Sequence, residues 1–171
     1  MGRDKALIEI DGVPMAQRVA SALTDGGADP VLCIGGDQDA LEAIGLECIP
    51  DDHPGEGPLG GFLTALKFAE GSYWDTVVVS ACDHPWLDGE TVENLLLGLI
   101  KAPLARPATG PDGRAPLFFA ANVAEVLPVV RDLFANGERS LRWLGTRFPV
   151  GTVHPIDPDR LRDVDAPDDL L

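Results

Sequence analysis

The chain has 171 residues, and 45% of them are hydrophobic, which is enough for one sizeable core. We therefore predict a single domain that spans residues 1–171. Thirteen lysines and arginines stand against 28 aspartates and glutamates, so the formal charge is −15 at pH 7. A chain this negative repels nucleic-acid phosphates and anionic lipid surfaces, so we expect neither nucleic acid nor a membrane among its partners.

Three cysteines, Cys33, Cys48 and Cys82, lie in apolar, strand-like runs and lack C-x-x-C spacing. We interpret them as reduced core residues. No apolar stretch approaches the roughly 20 residues of a membrane helix, and the first residues carry no apolar signal region. These features predict a cytoplasmic protein.

Short β-rich runs alternate with helical stretches along the chain, which is typical of an α/β sheet. The predicted strands are residues 31–34, 47–50, 76–81, 104–108, 116–120 and 150–153. The predicted helices are residues 15–24, 38–44, 60–70, 89–99, 122–135 and 140–146.

The run from Val77 to Ala81 has no polar alternation, as expected of a central parallel strand that helices cover on both faces. Asp83 follows this strand closely. In open α/β sheets the carboxyl ends of the strands line the ligand crevice, so Asp83 is the leading candidate for a site residue. The alternative is a loop aspartate that helps to cap the helix after Asp88.

Residues 51–61 (DDHPGEGPLGG) form a glycine-rich segment between a predicted strand and a predicted helix. Glycines let backbone N–H groups approach a ligand closely, and a helix N-terminus adds partial positive charge. A strand-to-helix loop that is merely flexible explains the same composition equally well.

The acidic C-terminal segment, residues 163–170, fits ordinary helix-start chemistry around Pro167. Three histidines, His53, His84 and His154, share no metal-ligand spacing, so we do not expect zinc. The sequence also lacks a G-x-S-x-G elbow and a Walker-type G-x-x-x-x-G-K-[ST] loop. The chemistry that remains is metal-assisted chemistry on a phosphate ester.

In their order along the chain, these segments resemble the molybdenum cofactor guanylyltransferases within the MobA-like nucleotidyltransferase family. Residues 1–7 (MGRDKAL) with residues 12–14 (GVP) resemble the second half of the signature L-A-G-G-x-S-x-R-M-G-x-D-K and its trailing G-x-P. Asp51 with residues 57–61 (GPLGG) resembles the family's Asp followed by G-P-L-x-G. Residues 81–87 (ACDHPWL) resemble its C-D-x-P-x-L turn.

Two further segments resemble the guanylyl branch rather than the cytidylyl branch. Residues 112–117 (DGRAPL) resemble D-G-R-x-x-P-L, and residues 137–141 (GERSL) resemble G-x-R-S-L. Residues 163–170 resemble N-x-N-T-P-E-D-L, with Asp163 and Asp165 in place of both asparagines. Because aspartates also occur there in the cytidylyltransferase branch, GTP and CTP both stay open as substrates.

The resemblance implies a three-layer, Rossmann-like (GT-A-like) α/β nucleotidyltransferase fold with a mostly parallel mixed sheet. Because the match begins within a motif at Met1, we expect the family's N-terminal glycine-rich loop and first strand to be missing. In the family that strand lies between those equivalent to residues 31–34 and 76–81, so we expect two unpaired strand edges there. We also expect this 171-residue form to be inactive, because Lys5 stands nearly alone against a triphosphate.

The function that the resemblance implies is transfer of GMP from GTP to the terminal phosphate of molybdenum-molybdopterin, with release of pyrophosphate, in molybdenum cofactor biosynthesis. Its partners would be GTP, the molybdopterin-type cofactor and molybdoenzyme-maturation proteins, and its metal would be Mg²⁺. The implied residues are Lys5 and Asp83 for catalysis, Lys5, Asp51, Gly57, Pro58, Leu59 and Asp83 for nucleotide binding, and Asp83 and Asp165 for the metal.

Two alternatives stay open. A related nucleotidyltransferase of the same fold would use CTP or a sugar phosphate, and a nucleotide panel with pyrophosphate release would identify it. A catalytically inactive homologue would bind GTP without turnover.

Overall fold

A computed structural model describes residues 5–107, 116–153 and 156–164. The strands in these ranges are β1 (Glu9–Ile10), β2 (Val13–Pro14), β3 (Leu32–Ile34), β4 (Glu47–Ile49), β5 (Thr76–Ser80), β6 (Leu104–Pro107), β7 (Phe118–Asn122) and β8 (Val150–Val153). The α-helices are α1 (Met15–Asp25), α2 (Gln38–Ala43), α3 (Pro58–Gly71), α4 (Gly89–Leu97), α5 (Val123–Ala135) and α6 (Leu144–Arg147). Short 3₁₀ helices cover Lys5–Leu7, Gly98–Ile100 and Pro158–Leu161. None of the helices in these ranges has the length and apolar character that crossing a membrane requires.

The strands form a mixed set of parallel and antiparallel pairs. Strands β3 and β4 pair in parallel, and a second sheet has the order β5-β7-β6-β8. In that sheet β7 is antiparallel to both of its neighbours, whereas β6 and β8 are parallel. The predicted α/β class with a mixed sheet is therefore confirmed.

Helices cover both faces of the four-stranded sheet, which produces three layers. Along β7, Phe119 and Ala121 pack into a core with α3 and α5, and Phe118 and Ala120 pack into a core with α1 and α4. This alternation follows from the two-residue period of a strand. Burying a phenylalanine this completely stabilises the fold by about 1.5–3 kcal/mol. We call these two clusters the α3/α5 core and the α1/α4 core.

The prediction for β5 is confirmed for its helix-covered faces and wrong for the direction of its pairing. Val77 and Val79 pack against the α3/α5 core and Val78 packs against the α1/α4 core, so helices cover both faces as predicted. The predicted parallel pairing differs from the structure, because β5 pairs with β7 in the antiparallel direction. A continuous apolar run reports burial on two faces and carries no information about the direction of the neighbouring strand.

A cavity of about 690 Å³ separates the two sheets. Its walls include Leu32 and Ile34 of β3, Val77 and Val79 of β5, and Phe62 of α3. Within the described residues, β3 pairs only with β4 and β5 pairs only with β7. The prediction of two unpaired strand edges at this place is confirmed for that part of the chain.

The β1–β2 hairpin was missed by the sequence analysis. Its turn has positive φ angles at both central residues, 53° at Asp11 and 78° at Gly12. Asp-Gly between two apolar residues is a strong hairpin signal, so the dipeptide could have revealed it. Every predicted helix and strand has a counterpart, and most bounds differ by at most two residues. The exception is the predicted helix 140–146, which is only the four-residue α6.

The three cysteines are free, as predicted. Cys33 lies opposite Cys48 in the β3–β4 pair, and both pack with Cys82 against a small core that contains Ala6 and Leu41. Burial, reinforced by Cys48, raises the pKa of Cys33 to about 11. A thiol with so high a pKa stays protonated at neutral pH and reacts slowly.

We predict that backbone amides on the cavity side of β5 exchange with solvent at least about tenfold faster than amides in the middle of β7. Strand β7 has hydrogen-bonded neighbours on both sides, whereas alternate N–H groups of β5 face the cavity. Hydrogen exchange followed by NMR resolves the two sets, with Ala120 and Ala121 as the protected reference. The cavity-side amides include Val78 and Ser80, because the odd-numbered residues of β5 point their N–H groups toward β7. Equal protection of Val78, Ser80 and the reference amides would contradict an unpaired edge.

Candidate functional site

Two loops at the carboxyl ends of neighbouring strands form one side of the candidate site. Because β3 and β4 run parallel, Gly35 after β3 and Asp51 after β4 lie at the same end of the sheet. A Cβ atom at Gly35 would lie only 3.9 Å from the Asp51 Cβ atom. The glycine also has a φ of 74°, which favours a residue without a side chain.

A cavity of about 550 Å³ opens between these loops, a volume typical of small-molecule sites. Its lining is polar and glycine-rich and includes Gly35, Gly36, Asp37, Gln38, Asp51 and Gly55. Asp51 therefore lies where a carboxylate can contact a bound ligand.

The Asp51 carboxylate is held in place through one of its oxygens. The backbone N–H of His53 donates to Oδ1 at 2.9 Å, and the hydroxyl group of Thr64 lies 3.1 Å from the same oxygen. The next residue, Asp52, forms an ion pair with Lys67 of α3, and this ammonium lowers the pKa of the Asp52 carboxyl. Helix α3 thus anchors the whole turn that contains Asp51.

The first turn of α3 carries the other predicted nucleotide-binding residues. Leu59 is buried in the α3/α5 core, and its backbone N–H donates to the Arg139 carbonyl at 3.2 Å. Gly57 has a φ of 77°, and a Cβ atom there would lie 2.9 Å from the same carbonyl oxygen. Gly57 and Pro58 are exposed. The structure therefore leaves Gly57 and Pro58, rather than Leu59, accessible to a ligand.

Asp83 lies in the turn after β5 and is partly exposed, and Val164, at the end of the described residues, contacts this turn. The backbone N–H of Val164 donates to the Asp83 carbonyl at 3.0 Å, and Asp83 and Asp163 both act electrostatically on His84. Asp165, the second predicted metal ligand, lies outside the described residues. Its neighbour Val164 nevertheless brings the described end of that segment to Asp83.

Lys5 begins the 3₁₀ helix Lys5–Leu7. The next residue, Ala6, is buried in the small core against which Cys82 packs. Because Cys82 precedes Asp83, this core joins the segment that carries Lys5 to the segment that carries Asp83. Parts of three motifs that the sequence analysis singled out lie outside the described residues, namely residues 1–4, 112–115 and 165–170.

The donor set at the Asp83 turn fits a hard cation. In the described part of the chain, no three or more histidine, cysteine, aspartate or glutamate side chains are grouped so that they could hold a metal ion. Asp83 and Asp163 nevertheless both lie near His84, and carboxylate oxygens are the ligands that Mg²⁺ prefers. The chemistry of these residues therefore suits Mg²⁺, which shares its ligands with waters and substrate phosphates.

The family of the chain follows from its match to a described domain. Residues 1–147 match the MobA-like NTP transferase domain. The chain belongs to this family. A MobA-like NTP transferase is a nucleotidyltransferase, so the chain is an enzyme of that class, as the resemblance predicted.

Relatives of this MobA-like chain carry a more specific name. A protein of Pseudomonas putida is 32% identical over 173 residues, which cover 99% of this chain and 87% of the relative. A protein of Rhodobacter capsulatus is 34% identical over 177 residues, which cover 99% and 86%. Both are named molybdenum cofactor guanylyltransferase.

Solved structures show the same fold at lower identity. The molybdopterin-guanine dinucleotide biosynthesis protein A of Archaeoglobus fulgidus superposes with a TM-score of 0.71 at 20% identity, over 99% of this chain and 88% of that one. The 2-C-methyl-D-erythritol 4-phosphate cytidylyltransferase of Thermus thermophilus gives 0.75 at 16% identity, over 97% and 90%. These likenesses confirm the predicted nucleotidyltransferase fold.

Arg139 of the MobA-like domain braces the loop before α3, which the sequence analysis did not foresee. Its guanidinium pairs with Glu56 at 2.6 Å and stacks over the Phe134 ring at 4.1 Å. It also donates to the Phe134 carbonyl at 2.9 Å. The segment that resembles G-x-R-S-L therefore has a structural task in the described residues, since it fixes the loop that leads to Gly57.

Burial lowers the pKa of His84, and the nearby carboxylates of Asp83 and Asp163 oppose that shift. The folded pKa therefore lies below the ordinary value of 6.5. As the pH falls below the pKa of His84 in the unfolded chain, the unfolded state binds a proton more readily than the folded state does. The free energy of unfolding therefore decreases. When the pH is above the pKa of His84 in both the folded and the unfolded state, His84 does not make the free energy of unfolding depend on pH.

We predict that His84→Gln flattens the pH dependence of the free energy of unfolding between about pH 7.5 and about pH 5.5. The wild type should lose stability faster than the variant as the pH falls. Urea unfolding in metal-free buffer measures the difference. Identical slopes for the two proteins would contradict the neutral, buried state of His84.

Proposed function

We propose that this chain transfers GMP from GTP to the terminal phosphate of molybdenum-molybdopterin and releases pyrophosphate. The observation that carries the proposal is the match, over 99% of the chain, to relatives named molybdenum cofactor guanylyltransferase. Membership of the MobA-like family supplies the nucleotidyltransferase class. The proposal adds the two substrates.

The proposed reaction requires no nucleophile from the protein. An oxygen of the cofactor's terminal phosphate attacks the α-phosphorus of GTP and forms a new P–O bond. The bond from the α-phosphorus to the oxygen that bridges it to the β-phosphate breaks, and pyrophosphate leaves with that oxygen. The task of the protein is to place the two phosphates in line and to balance their charge.

We propose that Asp83 and Asp165 hold Mg²⁺, which supplies charge neutralisation at the phosphate oxygens when it is bound. The support is the position of Asp83 after β5 and its backbone hydrogen bond from Val164, the residue before Asp165. Strand ends of α/β sheets are where ligands bind. Lys5, whose segment shares a small core with the Asp83 segment, is proposed to contact the triphosphate.

We propose that Asp51 receives the guanine base. Guanine presents two neighbouring donors, N1–H and the N2 amino group, which match the two oxygens of a carboxylate. Cytosine presents one amino donor beside the acceptor N3, which a carboxylate repels. The support is the position of Asp51 on the cavity of about 550 Å³. Gly57 and Pro58, both exposed at the start of α3, are proposed to line the nucleotide, and Leu59 is proposed to act through its packing.

We also propose that residues 1–171 act as one domain in a reducing compartment such as the cytoplasm. Val153 of β8 lies in the α1/α4 core, and Ile156 and Leu161 pack against it. The described C-terminal residues therefore share a core with the earlier helices rather than forming their own. The three free cysteines suit a reducing environment.

We predict that Asp83→Asn lowers Mg²⁺-dependent guanylyl transfer at least about a hundredfold, the order expected when transition-state charge stabilisation is lost. The assay follows pyrophosphate release with the longest natural form of the protein. Asp75→Asn is the matched control, because Asp75 lies just before β5 at its opposite end. Both variants should melt like the wild type. Near wild-type activity of Asp83→Asn would show that the metal assignment is wrong.

We predict that the same form of the protein binds GTP at least about tenfold more tightly than CTP, a difference of about 1.4 kcal/mol. Calorimetric titration with both nucleotides measures it. Equal or tighter binding of CTP would move the protein to the cytidylyl branch. Binding of GTP without pyrophosphate release, when the molybdopterin substrate is present, would identify an inactive homologue.

A further inference from the structure

We propose that Thr64 is a positioning residue for the nucleotide base, because its hydroxyl group orients the Asp51 carboxylate. The inference rests on the proposed function, which assigns the base to Asp51. Thr64 does not contact the ligand in this proposal. It acts only through the carboxylate.

Thr64 is a buried polar residue in the interior of an otherwise apolar helix. It is 4% exposed, and the buried side chains around it on α3 are apolar, among them Phe62, Leu63 and Leu66. A β-branched polar residue lowers helix propensity and adds a polar group that must be satisfied. Packing alone therefore does not account for a threonine here, since valine would fill the same volume.

Two of the three hydrogen-bond contacts of the Thr64 hydroxyl lead to the turn that holds Asp51. Its Oγ1 atom accepts the Asp52 backbone N–H at 3.1 Å and lies 3.1 Å from Asp51 Oδ1. The Gly60 carbonyl lies at the same distance, so one hydroxyl hydrogen has two acceptors. An ionised carboxylate is the stronger acceptor, so the hydroxyl donates to Asp51.

This arrangement engages one carboxylate oxygen and leaves the other for a ligand. Oδ1 of Asp51 receives both the Thr64 hydroxyl and the His53 backbone N–H. Among the described residues, none donates a hydrogen bond to Oδ2. Holding Oδ1 stops rotation of the carboxylate about its Cβ–Cγ bond. A preorganised carboxylate binds its partner more tightly, because less conformational entropy is lost on binding.

A purely structural role for Thr64 predicts a different outcome. If the hydroxyl only tied the Asp52 backbone to α3, its removal would loosen the loop and weaken the binding of every nucleotide to the same degree. If it orients Asp51, its removal weakens the nucleotide whose base needs the carboxylate. The ratio of GTP affinity to CTP affinity therefore separates the two roles.

The test compares Thr64→Val, which keeps the shape and deletes the hydroxyl, with Thr64→Ser, which keeps the hydroxyl. Calorimetric Kd values for GTP and CTP are measured with the longest natural form of the protein. We expect Thr64→Val to weaken GTP binding about tenfold and CTP binding less than about twofold. The Kd values of Thr64→Ser for both nucleotides should stay within about twofold of those of the wild type. Thr64→Ala provides a second deletion of the hydroxyl if the valine variant does not fold.

Thr91→Val is the matched control. Thr91 is also a buried helical threonine, 6% exposed, and its side chain bonds another aspartate, Asp88 at the cap of α4. Its substitution should lower the melting temperature without changing the ratio of GTP affinity to CTP affinity. A change in the ratio as large as that of Thr64→Val would overturn the inference, because any lost buried hydroxyl would then have the same effect.

Asp51→Asn separates the failure of this inference from the failure of the proposed function. If Asp51→Asn leaves the ratio of GTP affinity to CTP affinity unchanged, or the wild type does not prefer GTP, the assignment of the base to Asp51 is wrong. The Thr64 inference is then wrong as well. If Asp51→Asn lowers the ratio and folded Thr64→Val does not, only the Thr64 inference is overturned. In the double variant, Thr64→Val should add little to Asp51→Asn, since both act through one carboxylate. If the effects of the two substitutions on this ratio were fully additive, the Thr64 inference would also be overturned.

Discussion

Burial of the apolar face of α3 is the interaction on which the rest of the structure depends. Within the described residues, the β3–β4 pair and the four-stranded sheet share no strand pairing, and a cavity separates their facing edges. Helix α3 passes between them in the chain and places Leu59, Phe62 and Leu66 in the α3/α5 core, with the Phe62 ring edge-on to Phe119 at 4.9 Å. Each such side chain contributes about 1.5–3 kcal/mol on burial. Side-chain packing of α3 therefore helps to hold the two sheets together, a task that backbone hydrogen bonds between strands perform in a continuous sheet.

The same helix positions the candidate site, so stability and site geometry are coupled. Its buried face carries Thr64, which bonds Asp51, and its exposed face carries Lys67, which pairs with Asp52. Its first turn is tied to the Arg139 carbonyl through the Leu59 N–H group. Asp51 is thus fixed by an element whose own position comes from the hydrophobic core, and this is how a loop residue gains a defined orientation.

The sequence was informative wherever the determining interactions are local. Apolar periodicity and loop residues predicted the element order, and the position after a strand predicted Asp83 as a site candidate. Asp51 was predicted from the family resemblance, and the roles of both residues stay predictions. Contacts between distant parts of the chain were not accessible. Arg139 and Glu56 are 83 residues apart, and the antiparallel partner of β5 comes from a strand that begins at Phe118. No local pattern specifies such pairings, because they depend on how the whole chain packs.

The charge of the chain favours the divalent cation that we propose for this site. The chain carries −15, and a triphosphate adds about four more negative charges. Several basic side chains beside the proposed site already have partners: Lys67 pairs with Asp52, Arg139 with Glu56 and Arg160 with Asp88, and Arg162 stacks over Trp86. These cations stabilise the loops around the site and contribute little net positive charge to a ligand. In the proposed reaction, neutralisation of the phosphates is therefore assigned to a bound divalent cation, because an ion that arrives with the nucleotide brings two positive charges without requiring further basic residues in the fold.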